Sequence, residues 1–392
     1  MLLAASALVL VVAGSPRPQP PNIVLISVDT LRADHLGAYG YGQATSPFLD
    51  DLAGGGLLFE NAYVPSTGPS HASLLTSVVP AKHGVTNNGL PLRGSTDTLA
   101  AALHRAGYRT AGVVAVSHIG RRVAFSRGFD TFVGPENDTT QDIRIDADRI
   151  NKTAREIIDA HAAASPRKPL FLFVHYFDCH YPYRWWDPNR TEDPWKAEVM
   201  SDRAKQLRRY DDGVRRVDQH IRELYNYVTA RLGTNVVFCV TADHGEQIGD
   251  HGLGVGHADI YRETVAVPMI LGGPGIPSRR VAAPVSTMDV GVTLAALAGA
   301  RFGNAVDGQD LLATGERGSS WLQRLLGQEP KRSLAVTGAP SYTRSVALVD
   351  EDHWYIKNFD HVYRYAWIQS PAPAESGPGT AVADASGGDR VS

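Results

Sequence analysis

The sequence predicts an α/β fold, with a mostly parallel central sheet flanked by helices and a small antiparallel subdomain after it. Three observations carry this. Short, nearly continuous apolar runs rich in β-branched and aromatic residues recur along the chain, as strands covered on both faces require. Longer stretches with helical spacing lie between them, the alternation of a parallel sheet. Beyond about residue 333 the apolar runs shorten and alternate, as in an antiparallel addition.

In chain order, residues 1–15 contain the apolar run Leu2-Leu-Ala-Ala-Ser-Ala-Leu-Val-Leu-Val-Val-Ala13, followed by Gly14-Ser15. The run is too short for a comfortable membrane span and resembles a signal-peptide core, so it predicts export to a periplasmic or extracellular space, cleaved or kept as an anchor. Asn22–Val28 is the first strand and Ser46–Ala53 the first helix. In Val64-Pro-Ser-Thr-Gly-Pro-Ser-His-Ala-Ser-Leu-Leu-Thr76, Gly68 allows a tight turn, Pro69 suits a first helical position, and Ala72, Leu74 and Leu75 supply an apolar face. A helix over Pro69–Ser77 follows. Further helices are predicted at Thr96–Ala106, Asp142–Ala164, Lys196–Leu232 and Thr287–Ala298, and strands at Thr110–Val116, Leu170–Tyr176, Val236–Thr241 and Val267–Leu271. These alternate as one large α/β unit. Ser345-Val-Ala-Leu-Val349 and His353-Trp-Tyr-Ile-Lys357 mark a small antiparallel subdomain over 333–368, and the Pro-, Gly- and Ala-rich residues 370–392 predict a disordered tail.

Composition excludes some functions. The chain has 38 Lys and Arg against 41 Asp and Glu, a net charge of -3, so no basic excess points to nucleic acid as a partner. Cys179 and Cys239 allow one bridge at most, and Cys239 lies within a strand pattern and reads as core. No pattern fixes an oligomeric state.

The chemistry gathers where strands end. Asn22–Val28 delivers Asp29; the next strands deliver His118, then His175, Asp178 and His180, then Asp243 and His244. Ligands of open α/β sheets bind beyond the carboxyl ends of the strands. Asp29 and the Asp243–His244 pair directly follow apolar strands, where an unpaired charge is costly, so they read as metal ligands. His118 reads as a solvated loop residue. Thr67 stands where the chain enters a helix, with its hydroxyl beside the positive end of that helix. It is either an N-cap or a nucleophile aimed at a bound phosphate or sulfate ester.

Four segments together resemble the sulfatase family of the alkaline phosphatase superfamily: Asn22-Ile-Val-Leu-Ile-Ser-Val-Asp-Thr-Leu-Arg-Ala-Asp-His-Leu-Gly37, Pro69-Ser-His-Ala-Ser-Leu-Leu-Thr76, Asp178-Cys-His-Tyr-Pro-Tyr183 and Thr241-Ala-Asp-His-Gly-Glu246. Gly256-His-Ala-Asp-Ile-Tyr261, Met288–Gly299 and Asp307-Gly308 extend the likeness, which runs in order from about Pro21 to Leu312 and implies a catalytic domain over residues 21–312. The resemblance implies a mixed sheet flanked by helices and one divalent cation, calcium in sulfatases with similar ligands, whereas carboxylates with one imidazole suit zinc or manganese. Asp29, Thr67, Asp243 and His244 would be its ligands and Thr67 the nucleophile. It also implies that His180 and His257 meet the substrate, His257 standing where sulfatases usually place a Lys. Sulfatases carry a formylglycine precursor, Cys or Ser, at the position of Thr67, an Arg at that of His71, and often another Asp at that of Thr30. Thr67 cannot form the hydrate of formylglycine, so no formylglycine is expected and the chain is similar to the Thr-nucleophile members.

Three functions compete on this basis: a metal-dependent hydrolase of phosphate or sulfate esters on a small molecule, glycan or lipid; a transferase passing a phospho-headgroup to a glycan or lipid; and a binding protein that has lost activity. His71 would contact the substrate anion or complete a helix turn, while His251 and Glu246 would support the site from behind. Tyr181-Pro-Tyr-Arg-Trp-Trp186 would wall a pocket or pack locally, and Asn137, Asn151 and Asn189 head glycosylation-like triplets.

Overall fold

The structure, a computed structural model, describes residues 19–64, 66–135, 145–183, 202–252, 254–257, 259–313, 334–337, 345–349, 353–358 and 365–369. The leader-like segment, the tail, Asn137, Asn189 and residues 184–186 lie outside them. Among the described residues no helix is long and apolar enough to cross a membrane.

The chain runs β1 (Asn22–Val28), α1 (Pro47–Gly54), β2 (Leu57–Tyr63), α2 (Thr67–Thr76), α3 (Pro80–His83), α4 (Leu99–Arg105), β3 (Arg109–Val113), β4 (Thr131–Val133), α5 (Ala147–Ala164) and β5 (Leu170–Tyr176). It continues through α6 (Arg203–Leu232), β6 (Val236–Ala242), the small hairpin β7 (Gln247–Ile248) and β8 (Val255–Gly256), α7 (Arg262–Val265), β9 (Ala266–Gly272), β10 (Arg279–Val281), β11 (Val285–Ser286) and α8 (Met288–Leu297). The central sheet has the order β10-β2-β9-β6-β1-β5-β3-β4, with β11 also against β2. One layer packs α1 and α5 on α6; the other packs α2 and α4 on α8. The three central strands β5, β1 and β6 are buried almost throughout, which is why they read as unbroken apolar runs.

Every pairing in this sheet is parallel except those of β9, which runs against both β6 and β2. The reason lies in the connection before it. Between β6 and β9 the described residues form a two-stranded hairpin, a 3-10 turn at Asp250–Gly252 and the single turn α7, with no long crossover helix among them, and the next strand runs back. The structure also adds β2, which the sequence reading left out. Glu60 and Asn61 interrupt its apolar run, and the register shifts between Phe59 and Ala62, so a bulge takes up the polar pair.

Helix starts follow their caps. Asp146 accepts the Arg149 N–H at 3.0 Å and Asp202 accepts the Lys205 N–H at 3.0 Å, fixing the N-termini of α5 and α6. Strands β12 (Leu334–Thr337), β13 (Ser345–Val349), β14 (His353–Asn358) and β15 (Tyr365–Gln369) form a separate antiparallel sheet in consecutive order. Val349 from this sheet packs with Tyr63, Ile260 and Val265. Both cysteines are buried and free. Asn151 is buried too, its amide donating to the His220 carbonyl at 2.9 Å and accepting from the Tyr176 hydroxyl, so it is part of the core and no glycan acceptor.

Candidate active site

The parallel register of β1 with both neighbours sets the site. Val28 lies opposite Ala242 of β6 and Tyr176 of β5, so the chain leaves all three strands at one level. Asp29 and Asp243 are therefore the next residues on adjacent strands, and both are buried. Strand β2 has the same direction as β1, being antiparallel to β9, so it releases the chain at this end as well, where α2 begins. The Cβ of any other residue at Gly245 would sit 2.0 Å from the Glu263 carbonyl oxygen, so glycine is what lets the loop after β6 turn back so tightly.

His244 has its Nδ1–H donating to the Gly245 carbonyl at 2.8 Å, which leaves Nε2 as the nitrogen with a lone pair. Nε2 meets the Thr67 hydroxyl at 2.8 Å and lies 3.7 Å from Asp29 Oδ1 and 3.6 Å from Asp243 Oδ2. Burial, helped by the nearby His257, holds the ring neutral by pushing its pKa down to about 3. Asp243 accepts the His244 and Thr30 N–H groups on Oδ1 at 2.9 and 3.3 Å, while its Oδ2 is buried without a hydrogen-bond partner. Burial and the charge of Asp29 push this carboxyl up to about 7.

Thr30 holds a left-handed backbone at φ 59, costly for a β-branched residue. Its surroundings fix it there: the hydroxyl donates to the Asp29 carbonyl at 2.7 Å, and its own carbonyl accepts from the Tyr210 hydroxyl at 2.7 Å. The strain aims its N–H at Asp243.

Thr67 is the first residue of α2 rather than its cap; that position falls to Ser66, whose side chain makes no capping bond. The backbone donors around it are largely committed. The Gly68 N–H goes to Asn88 Oδ1 at 2.7 Å, Pro69 has none, and Ser70 N–H returns to the Ser66 carbonyl. The expected open helix terminus is thus partly closed by Asn88, a residue the sequence reading missed. Its only signal was the turn composition of Thr86-Asn-Asn-Gly89.

His71 is fully buried, its Nδ1–H donating to the Thr67 carbonyl at 2.7 Å and its Nε2 facing Ser27 Oγ at 2.9 Å. Both ring nitrogens are engaged by the protein. His175 stacks edge-on against it and directs Nε2 toward Asp29 Oδ2 at 3.6 Å. Among the described residues two groups have metal-ligand spacing: Asp29, Asp243 and His244, and His71, His175 and Asp243. Only the first includes a lone-pair imidazole nitrogen that also meets Thr67; in the second, His71 has committed its Nδ1–H. Two carboxylates, one of them with an unpartnered buried oxygen, and a neutral imidazole form a donor set that fits a divalent cation such as zinc or manganese.

The wall facing this cluster comes from two loops. After β5, Phe177 stacks on His180, whose Nδ1–H donates to the Tyr181 carbonyl at 2.6 Å. From the β8 end, His257 lies 4.2 Å from the His244 ring and 5.3 Å from that of His180, centroid to centroid. Its Nδ1 pairs with Glu246 Oε1 at 3.2 Å. Burial opposes charge on His257, but the Glu246 bond and the charges of Glu246, Asp29 and Asp243 outweigh it and push the pKa up to about 9. Asp178 faces elsewhere: it accepts the Ala147 N–H at 3.3 Å and Arg216 Nε at 2.9 Å. His118 is exposed.

Residues 21–300 match the sequence model of the family described as Sulfatase. The chain belongs to the sulfatase family. Among its sulfatase relatives, N-acetylgalactosamine-6-sulfatase of Homo sapiens is 28% identical over 351 residues, spanning 77% of this chain and 67% of that protein. Arylsulfatase A of Homo sapiens is 40% identical over a shorter stretch of 144 residues, 33% of this chain and 28% of that one. The solved phosphonate monoester hydrolase of Agrobacterium radiobacter superposes with a TM-score of 0.70 at 20% identity, covering 89% of each chain, which establishes a shared fold.

Proposed function

We propose that this sulfatase-family chain is a divalent-cation-dependent hydrolase of phosphate or sulfate esters, with Thr67 as nucleophile and a covalent intermediate. The observation that carries the reading is the Thr67 hydroxyl 2.8 Å from His244 Nε2, beside the carboxylates of Asp29 and Asp243. Asp29, Asp243, His244 and Thr67 would hold the cation, which when bound lowers the pKa of a hydroxyl and offsets charge on the ester oxygens. The chain's own residues supply the rest. Thr67 Oγ1, its proton released to solvent water, forms a bond to phosphorus or sulfur as the bond to the leaving oxygen breaks. His257, held as a cation against Glu246, or His180 beside it gives that leaving oxygen its proton. Water then cleaves the Thr67 ester, giving a proton back to the histidine that protonated the leaving oxygen and releasing phosphate or sulfate from the restored Thr67. His71, with both nitrogens engaged, orients the first turn of α2 instead of touching the anion.

Threonine carries a single oxygen, so its ester must be hydrolysed directly. That favours a phosphate over a sulfate, although the relatives are named N-acetylgalactosamine-6-sulfatase and arylsulfatase A. The substrate class is an ester on a small molecule, glycan or lipid, met outside the cytoplasm if residues 1–15 act as a leader. The test is a panel of p-nitrophenyl phosphate, phosphodiester, phosphonate and sulfate with added calcium, manganese or zinc. The phosphorus esters should be turned over faster, and Thr67→Ala should lose at least ~10³-fold in kcat. Full turnover by Thr67→Ala removes the nucleophile assignment; preference for the sulfate removes the argument from the single oxygen.

A further inference from the structure

Glu246 belongs to none of the ligand or substrate positions described above, yet it is fully buried at the meeting point of three loops. The β7–β8 hairpin pairs Gln247 with Gly256, which brings the preceding Glu246 across from the following His257. One carboxylate oxygen, Oε1, takes His257 Nδ1 at 3.2 Å, and the other, Oε2, takes the Tyr181 N–H at 3.3 Å. Tyr181 in turn accepts His180 Nδ1–H on its carbonyl. The main-chain carbonyl of Glu246 is itself pinned by Arg32 Nη1 at 3.0 Å, only a few residues beyond Asp29.

We propose that Glu246 is a positioning residue that sets His180 and His257 at their mutual distance, so that both face the leaving group of the ester. The inference rests on the function proposed above. Its physical basis is that a carboxylate accepts on both oxygens, whereas an amide accepts on one and donates from the other end. Glu246→Gln therefore turns an NH2 group against either the Tyr181 N–H or His257 Nδ1 and lets one histidine drift. Groups that protonate a leaving oxygen matter in proportion to how badly that oxygen leaves.

The experiment compares wild type, Glu246→Gln and Glu246→Asp on aryl esters of the type that wild type turns over, one with phenol and one with 2,4-dinitrophenol as leaving group. Melting temperatures are recorded alongside. Glu246→Gln should lose ~100-fold in kcat/KM on the phenyl ester and less than ~10-fold on the dinitrophenyl ester, the range open to general-acid catalysis. Glu246→Asp, which keeps both acceptors, should recover much of the phenyl-ester loss. An equal loss on the two esters, or no loss, overturns the proposal and leaves Glu246 a structural group. If Glu246→Gln does not fold, the same two-ester ratio measured on Glu246→Asp against wild type decides it: the shorter side chain lengthens both contacts, so a partial loss confined to the phenyl ester supports the proposal and a uniform loss, or none, overturns it. Turnover of neither ester by wild type would remove the proposed function and this role together, whereas normal wild-type turnover with a uniform mutant loss removes only the role.

Discussion

The proposed cation site can be probed without substrate, because two buried carboxylates held close together cost stability until a cation lies between them. Asp29 and Asp243 are both buried, with His244 in a group whose ligand atoms lie within 4.8 Å of one another. At that separation two unit charges repel by ~3 kcal/mol for an effective dielectric near ~20. Asp243→Asn removes one charge but keeps the Oδ1 acceptor used by the Thr30 and His244 N–H groups. In chelated protein at pH 7.5 the variant should therefore be more stable than wild type by ~1–3 kcal/mol, raising the melting temperature at ~2–4 °C per kcal/mol. Adding manganese or zinc reverses the order. Wild type gains ~2.7 kcal/mol at a cation concentration a hundred times its Kd, and Asp243→Asn gains almost nothing. Differential scanning fluorimetry with and without the ion reads both effects. A chelated variant less stable than chelated wild type, or an equal ion-induced shift in the two proteins, would refute the placement of a cation between these carboxylates.

Two further outcomes follow from single contacts. His83 is buried, with Nδ1 accepting the Val85 N–H at 3.1 Å and Nε2 on Ser73 Oγ at 3.1 Å; burial, then the charge of Arg93, pushes it down to about 4. The folded ring stays neutral where the unfolded one takes a proton, so its contribution is whole above pH 6.5 and shrinks as pH falls toward 4, by up to ~3 kcal/mol. Urea midpoints between pH 7 and 4.5 should fall less steeply for His83→Gln; an unchanged slope counts against it. Gly245→Ala places a Cβ 2.0 Å from a backbone oxygen, so the loop bearing Asp243 and His244 must shift; a stability loss of ~1–3 kcal/mol and at least tenfold weaker cation binding by titration calorimetry are expected. Wild-type affinity in that variant would mean the loop tolerates the move.

Much of this was legible in the residues. β1, β5 and β6 are covered on both faces, and burial on two faces writes an unbroken apolar run that needs no context to recognise. Asp29, Asp243 and His244 stood out for the complementary reason, that a charge placed straight after such a run must have a partner. What stayed hidden had a weaker local signature. Strand β2 carries Glu60 and Asn61 in its middle, and the reversal of β9 depends on the absence of a crossover, which no residue of β9 itself encodes. Asn88 looks like any turn residue until the fold sets it against Gly68.

Taken alone, then, the sequence determined the layered sheet, the polar residues at its carboxyl edge and the threonine at a helix start, because burial periodicity and charge after apolar strands are local properties. Only the tertiary structure decided which nitrogen of His244 faces Thr67, that His71 is spent on the protein, and that Glu246 ties His257 to the His180 loop. Those are matters of hydrogen bonds between residues far apart in the chain, and they exist only once the strands have brought their ends to a common level.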